Sequence, residues 1–274
     1  VGISNFLRFF LYHPKIVDTY INHGEKHLFV PVDLNELVEV EVFPFWILTF
    51  QRLVDAIEKS ALSSVIKEDI NGFFLDAIQS RDVFLTVEGL RKAILTIVNA
   101  GTMPTIFLIR FDRLSPVINQ DFFANLRGLR EAAAQKLTYV FTSFRAIYEI
   151  VPHVFEKKLL SVFSQPMFLK MAKLTDMKII FETFEARYNI KPSKEVEEKL
   201  IELCGGHVQY LHLSLIILNL RIKDKQIEVS DLLTILTGDE RINLQSEEIW
   251  ESLSESEQST LRDVFKGKKI TSEK

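Results

Sequence analysis

The chain opens VGISNFLRFF, and Gly2 and Ser4 ahead of an apolar helical pattern have the spacing of the last part of G-x-x-x-x-G-K-[ST]. In that pattern backbone amides at a helix start hold phosphate oxygens, a lysine reaches the outer phosphates, and the hydroxyl ligates Mg²⁺. Gly2, Ile3, Ser4 and Asn5 are therefore candidate phosphate-binding residues, with Ser4 the candidate metal ligand. Ile3 stands at the lysine position. An aliphatic side chain brings no charge to the outer phosphates, so hydrolysis is expected to be impaired while some nucleotide binding survives. The same residues also read as an ordinary capped helix start.

A second candidate lies at the end of TIFLIRFD, where a hydrophobic run stops at Asp112. P-loop proteins place the acid associated with Mg²⁺ at the C-terminal edge of such a strand. Asp112 is the candidate acid and metal ligand; the alternative is a solvated acid closing a buried strand. A shifted register would put the acidic pair at Ile109 and Arg110, and both acids would then be missing. The later run YVFTSFR ends in Thr142, Ser143 and Arg145, a hydroxyl near the phosphates with a cation beyond, or hydroxyls that simply cap the strand. Arg127 and Arg130, at i and i+3 of one predicted helix, could reach a neighbouring subunit's phosphate as arginine fingers do, or form a solvated face. His207 follows Gly205 and Gly206 and reads either as a ligand-facing turn residue or as a helix-start residue packed in the core. Neither His13, His23, His27, His153 nor His212 has metal-ligand spacing to the single Cys204, so no zinc site is expected.

The elements that must position these residues follow from periodicity. Residues 4–12 form an amphipathic helical pattern, and Pro14 can begin a second helix. HLFVPVD, residues 27–33, reads as a buried strand. Residues 45–101 have a period near 3.6 with breaks near Ser60 and Arg81, which predicts a run of helices. Pro104 opens the strand that ends at Asp112, residues 119–134 read as a helix, and residues 136–143 as another strand. Strands alternating with helices predict a parallel α/β sheet. Residues 165–169 add one short strand. Beyond Leu174 only helices are predicted, starting at Thr175, Ser193, Gly206 and Ser230, with polar breaks at residues 189–192 and 223–226. Residues 246–265 offer short amphipathic helices capped by Ser246 and Ser254, each followed by acids.

The chain has 274 residues, 47% hydrophobic and 26% charged, enough for about two domains with sizeable cores. Its net charge of −4 makes the whole molecule no electrostatic magnet for nucleic acid, so any DNA contact would be local. The longest apolar runs, residues 105–109 and 213–220, fall short of the roughly 18 to 20 residues that span a bilayer. No export signal is visible at the N-terminus and a lone cysteine suits a reducing compartment, so a cytoplasmic location is expected.

Taken together these strings resemble AAA+ ATPases of the STAND and origin-recognition type. GISNFLRFF resembles the family's GKS-then-helix segment, FVPVDLNEL its second strand, IFLIRFDRL its Walker B strand and YVFTSFRAI its sensor 1 strand. KLIELCGGHVQYLHLSLIIL resembles the lid helix pair joined by a G-G-H-P-x-Y-L turn, with Val208 in place of the proline. The likeness runs from about residue 2 to residue 236 in order. It implies ATP or ADP with Mg²⁺ as cofactors, Ser4 near the metal, Asp112 as Walker B acid, Ser143 as sensor 1, and Gly206 with His207 as the lid turn facing the nucleotide. The family's lysine and catalytic glutamate have no counterparts here, with Ile3 and Arg113 in their places.

The implied organisation is an α/β P-loop core at residues 1–164, a helical lid at 165–238 and part of a winged-helix-like segment at 239–274. A parallel sheet without the strand expected before Gly2 would expose unpaired backbone, so the natural protein is expected to continue at both ends. The implied function is an ATP-dependent switch or assembly module, an ATPase with weakened or lost hydrolysis. Its partners would be other protein subunits or effector domains, including copies of itself, with DNA as a partner of the winged helix. The rival expectations are a catalytically silent scaffold for protein partners and an initiator-like DNA-binding module.

Overall fold

The computed structural model describes residues 3–20, 25–152, 154, 166–222 and 228–268. Among the described residues the protein is α/β and mostly helical, with a three-stranded parallel sheet in the order β1-β2-β3. The chain divides into two compact units, residues 6–167 and residues 168–274, the latter clustering with residues 1–5.

Helix α1 (Ile3–Tyr12), which enters the first unit at Phe6, and helix α2 (Pro14–Tyr20) precede strand β1 (Lys26–Asp33). Helices α3 (Val42–Glu58), α4 (Ser64–Ser80) and α5 (Val83–Asn99) follow, then strand β2 (Thr102–Ile109), helix α6 (Gln120–Ala132), strand β3 (Thr138–Phe141) and the short helix α7 (Ile147–Ile150). The helix boundaries have local causes. Ser60 donates its hydroxyl to the Ile57 carbonyl just past α3. Arg81 turns left-handed, and the Asp82 carboxylate then accepts from the Leu85 amide at 2.9 Å to start α5. Asn119 caps α6 in the same way through the Phe122 amide.

Strand β1 alternates buried Leu28, Val30 and Val32 with half-exposed neighbours and runs parallel to β2 from Lys26 opposite Thr102 to Asp33 opposite Ile109. Strand β3 pairs only with residues 105–108 of β2. Pro104, which has no N–H to donate, therefore lies outside the part of β2 that is flanked on both sides. Val30, Val32, Ile106 and Leu108 join Phe45, Trp46, Phe50, Leu90 and Phe122 in one core. On the opposite side of the sheet Phe10 of α1 meets Phe29 and Phe107 with ring centroids 5.8 and 6.0 Å apart.

The second unit is helical: α8 (Leu174–Tyr188), α9 (Lys194–Cys204), α10 (Val208–Ile222), α11 (Leu232–Thr237), α12 (Glu240–Glu251) and α13 (Glu255–Phe265). Its core gathers Phe181, Leu200, Leu211, Leu215, Leu218, Leu232 and Ile242. Tyr210 of α10 bonds Ser246 of α12 through their hydroxyls at 2.8 Å. Among the described residues, no helix is long and apolar enough to cross a membrane.

Some sequence expectations are corrected here. Residue 165 lies outside the described residues, and residues 166–169 form no strand: Met167, Phe168 and Leu169 are exposed and pair with nothing in the sheet. Ser246 caps no helix. Asp239 starts α12 by accepting from the Arg241 amide, and Ser246 sits inside it, donating to the Ile242 carbonyl. Ser254 does cap α13, in a reciprocal capping box with Glu257. The strand expected to run to Asp112 stops at Ile109, and Asp112 lies in the 3₁₀ turn Phe111–Leu114.

Candidate functional site

In a parallel sheet the carboxyl ends of the strands share one edge, the place where open α/β folds bind ligands. Here that edge collects the residues after β1, β2 and β3. Leaving β2, Arg110 adopts a left-handed backbone with φ of 62°, which costs an L-residue about 1–2 kcal/mol. Hydrogen bonds from the end of β3 hold it there. The Arg110 amide donates to Thr142 Oγ1 at 3.1 Å, and the Phe111 amide to the Thr142 carbonyl at 2.8 Å. Thr142 thus stitches the turn after β2 to the end of β3.

The side chains of that turn face one another. Arg110 Nε lies 3.9 Å from Asp112 Oδ2, and the Arg110 guanidinium lies 4.2 Å from the centre of the Phe144 ring. Arg110 Nε and Asp112 Oδ1 are both sealed from solvent with no hydrogen-bond partner in the structure. Arg113 donates through Nη1 to Asn35 Oδ1 at 3.1 Å, and the Asn35 amide donates to Asp33 Oδ1 at 3.0 Å. Beside them Arg52 bridges Glu36 and Asp55. Ser143 donates its hydroxyl to the Arg145 carbonyl.

The expected site residues divide accordingly. Asp112 and Ser143 come to the same sheet edge. Arg127 and Arg130 share helix α6, where Arg127 lies 3.6 Å from Glu131, and Arg130 is half-buried near Tyr139. Ile3 opens helix α1, and Ser4 and Asn5 continue it; Gly2 lies outside the described residues. Gly206 and His207 belong to the helical unit. Two features of the edge were not singled out from sequence. Arg110 entered only through the shifted register, and Asn35 only within the string FVPVDLNEL. Neither the left-handed turn nor the Asn35–Arg113 bond has a signature in residue spacing.

The lid-like turn is built from backbone constraints. Gly205 and Gly206 have φ of 54° and 83°. A Cβ on Gly206 would lie 2.6 Å from the Ala172 carbonyl oxygen, whose own amide donates to the Gly206 carbonyl at 3.0 Å. His207 is 4% exposed and caps α10, its Nδ1 accepting from the Tyr210 amide at 3.2 Å while its ring lies 4.2 Å from that of Tyr210. This bond requires neutral His207 with its proton on Nε2, which is buried without a partner in the structure. Burial holds the imidazole below its ordinary value, and does the same to His212, whose Nε2 meets the Tyr188 hydroxyl at 2.8 Å. Cys204 is buried and its thiol is pushed up to about 11, so it stays protonated and is no nucleophile.

Do these residues fit Mg²⁺? Magnesium needs open octahedral room and keeps several waters, usually with one or two carboxylates and the substrate phosphates. Asp112 is the carboxylate expected to serve. Its Oδ1 is sealed, and its Oδ2 faces a guanidinium. Each pair of like unit charges some 4 Å apart repels by about 4 kcal/mol at an effective dielectric near 20, and a divalent ion doubles that. Among the described residues no group of three or more His, Cys, Asp or Glu side chains gathers to hold a metal ion. The turn as folded does not fit a Mg²⁺ site on Asp112.

Comparison of the chain with protein-family models, with curated proteins and with solved structures returns no match.

Proposed function

We propose that this chain is a nucleotide-binding switch of the AAA+ or STAND kind, with residues 1–164 as the P-loop-like core, residues 165–238 as the helical lid and residues 239–274 as part of a winged-helix-like segment. The observation that carries this reading is the sheet edge. The strings likened to a second strand, a Walker B strand and a sensor 1 strand are three adjacent parallel strands, and Thr142 ties the Asp112 turn to the residues after β3. The left-handed Gly205–Gly206 turn between two helices supports the lid comparison, with His207 packed in the core as a helix-start residue rather than facing a ligand. In this reading ATP or ADP shifts the lid, and the shift controls assembly with other copies, protein subunits or an effector. Hydrolysis is weak or lost, since Ile3 supplies no charge and Ser143 spends its proton on Arg145.

A second reading has its own support. The pairing of Asp112 with Arg110 favours a silent scaffold that keeps the architecture for protein partners alone. DNA recognition through the C-terminal helices is a third, and a steep salt dependence of DNA binding would be its mark.

Calorimetric titration of the protein with ATP and ADP in Mg²⁺, repeated for Ile3→Lys, separates the first two. Saturable binding that tightens in Ile3→Lys is expected for the switch. Absence of binding in both forms would leave the scaffold as the better account.

A further inference from the structure

Helix α4 carries an outward stripe that its own packing does not use. Its Ile70, Phe74 and Ala77 are buried, and the helix packs against α3 and α5. On the other side, at helical spacing, lie Val65, Glu68, Asp69, Gly72, Leu75 and Asp76, all exposed. Val65 is 64% and Leu75 48% open to solvent.

Gly72 sits at the middle of this helix, where glycine is a poor helix former, and Asn71 before it is also weak. The fold does not require it. Its φ is not positive, and a Cβ there would meet nothing within 4 Å. The charge on the stripe is equally one-sided. From residue 68 to residue 80 the helix has Glu68, Asp69 and Asp76 and no lysine or arginine. The ion pairs among the described residues leave all three carboxylates out.

A position that breaks a local rule without a gain to its own fold is where contact with another molecule is to be sought. The distance between two packed helices is set by the side chains where they cross, so a helix bare at its centre admits a close neighbour there. Val65 and Leu75 supply apolar contacts on either side of the crossing, and the carboxylates flank them. The complement is a helix with apolar residues on one face and lysines or arginines beside them. Nucleic acid and anionic membranes are repelled by the same carboxylates.

We infer that the outer face of α4 is the docking site for a basic amphipathic helix of a partner protein, crossing α4 at Gly72. Gly72 admits the partner's backbone, Val65 and Leu75 anchor its apolar face, and Glu68, Asp69 and Asp76 pair with its cations and set its orientation. The inference requires no nucleotide and does not involve the sheet edge. Gly128 of α6 is the internal control: it is also exposed with nothing within 4 Å of a Cβ, but its helix has no large exposed apolar residue.

The test is fluorescence anisotropy of a labelled, amidated helical peptide of leucine, alanine and lysine, about 18 residues long and with its lysines on one face, titrated with the full chain. The parent should bind saturably and more weakly as salt rises, and the same peptide with glutamate for lysine should not bind. Gly72→Leu should lose about 10-fold or more in affinity while melting at the same or a higher temperature, a combination that a structural role for Gly72 would not produce. Asp69→Asn combined with Asp76→Asn should lose about 5-fold and flatten the salt dependence. Gly128→Leu should bind like the parent. No saturable binding to the parent, equal binding by Gly72→Leu, a matching loss in Gly128→Leu, or equal binding of the glutamate peptide would each overturn the inference. A parent that self-associates in light scattering while Gly72→Leu is monomeric would overturn the choice of partner and make a second copy the occupant.

Discussion

Two turns in this molecule place a left-handed residue beside a buried polar atom that lacks a partner, and they do so by opposite means. Ahead of α10, Gly205 and Gly206 take φ of 54° and 83°, and the backbone itself dictates residue type: the Ala172 carbonyl leaves no room for a Cβ on Gly206. After β2, Arg110 takes φ of 62° although a glycine would do so freely, and hydrogen bonds from Thr142, 32 positions away, keep it there. The first turn is determined by packing. In the second, the energetic cost of the conformation is matched to a side chain whose charge is aimed at Asp112 and Phe144.

The comparison predicts unequal responses to mutation. Gly206→Ala combines a left-handed cost with a backbone clash and should destabilise the protein by about 3 kcal/mol or more, read by denaturant melts. Gly205→Ala meets nothing within 4 Å and should cost only about 1 kcal/mol. Equal losses at the two glycines would break the packing account of that turn.

Thr142→Val removes the Oγ1 acceptor of the Arg110 amide while keeping side-chain volume. A loss of about 1–2 kcal/mol is expected, as for a partly buried donor left unpaired. Arg110→Gly should change stability by less than about 1 kcal/mol, because relief of backbone strain offsets the lost contact with Phe144. If Arg110→Gly destabilised the fold as strongly as Gly206→Ala, Arg110 would be structural and the contrast between the turns would vanish.

The smallest expected effect is in pH. Burial lowers His207 in the folded state, so below the ordinary value of 6.5 the unfolded chain binds more protons than the folded one. The stability this histidine contributes is thus complete above that value and is lost as pH falls from it towards the folded value. Thermal melts should drop as pH falls below the ordinary value of 6.5, and His207→Asn, which keeps a helix-capping acceptor, should show a shallower drop. An unchanged slope in the variant would remove His207 from the explanation.

How much of this was legible in the sequence follows from the range of the interactions involved. The buried alternation of Leu28, Val30 and Val32 and the helical period of residues 45–101 are local patterns, and β1 and helices α3 to α5 stand where those patterns put them. Asp82, Asn119, Ser193 and Ser254 cap helices with side chains that reach only a few positions. Ser246, also followed by acids, misled because Asp239 had already started the helix. The apolar cluster Met167, Phe168 and Leu169 resembled a strand but finds no neighbour to pair with, and pairing is a property of the sheet. At the site, Asp112 and Ser143 could be picked out by their positions after apolar runs. Arg110 could not, because its conformation depends on a threonine from another strand, and so the ion pair that alters the meaning of Asp112 was invisible.

The most direct test of the central claim is hydrogen exchange of the full chain with and without ATP, resolved by peptide. Binding at the sheet edge predicts slowed exchange in residues 109–115 and 142–146, where the turn and the end of β3 are stitched together by Thr142. Exchange in those segments that stays unchanged at saturating ATP, or ATP that fails to bind at all, would contradict it.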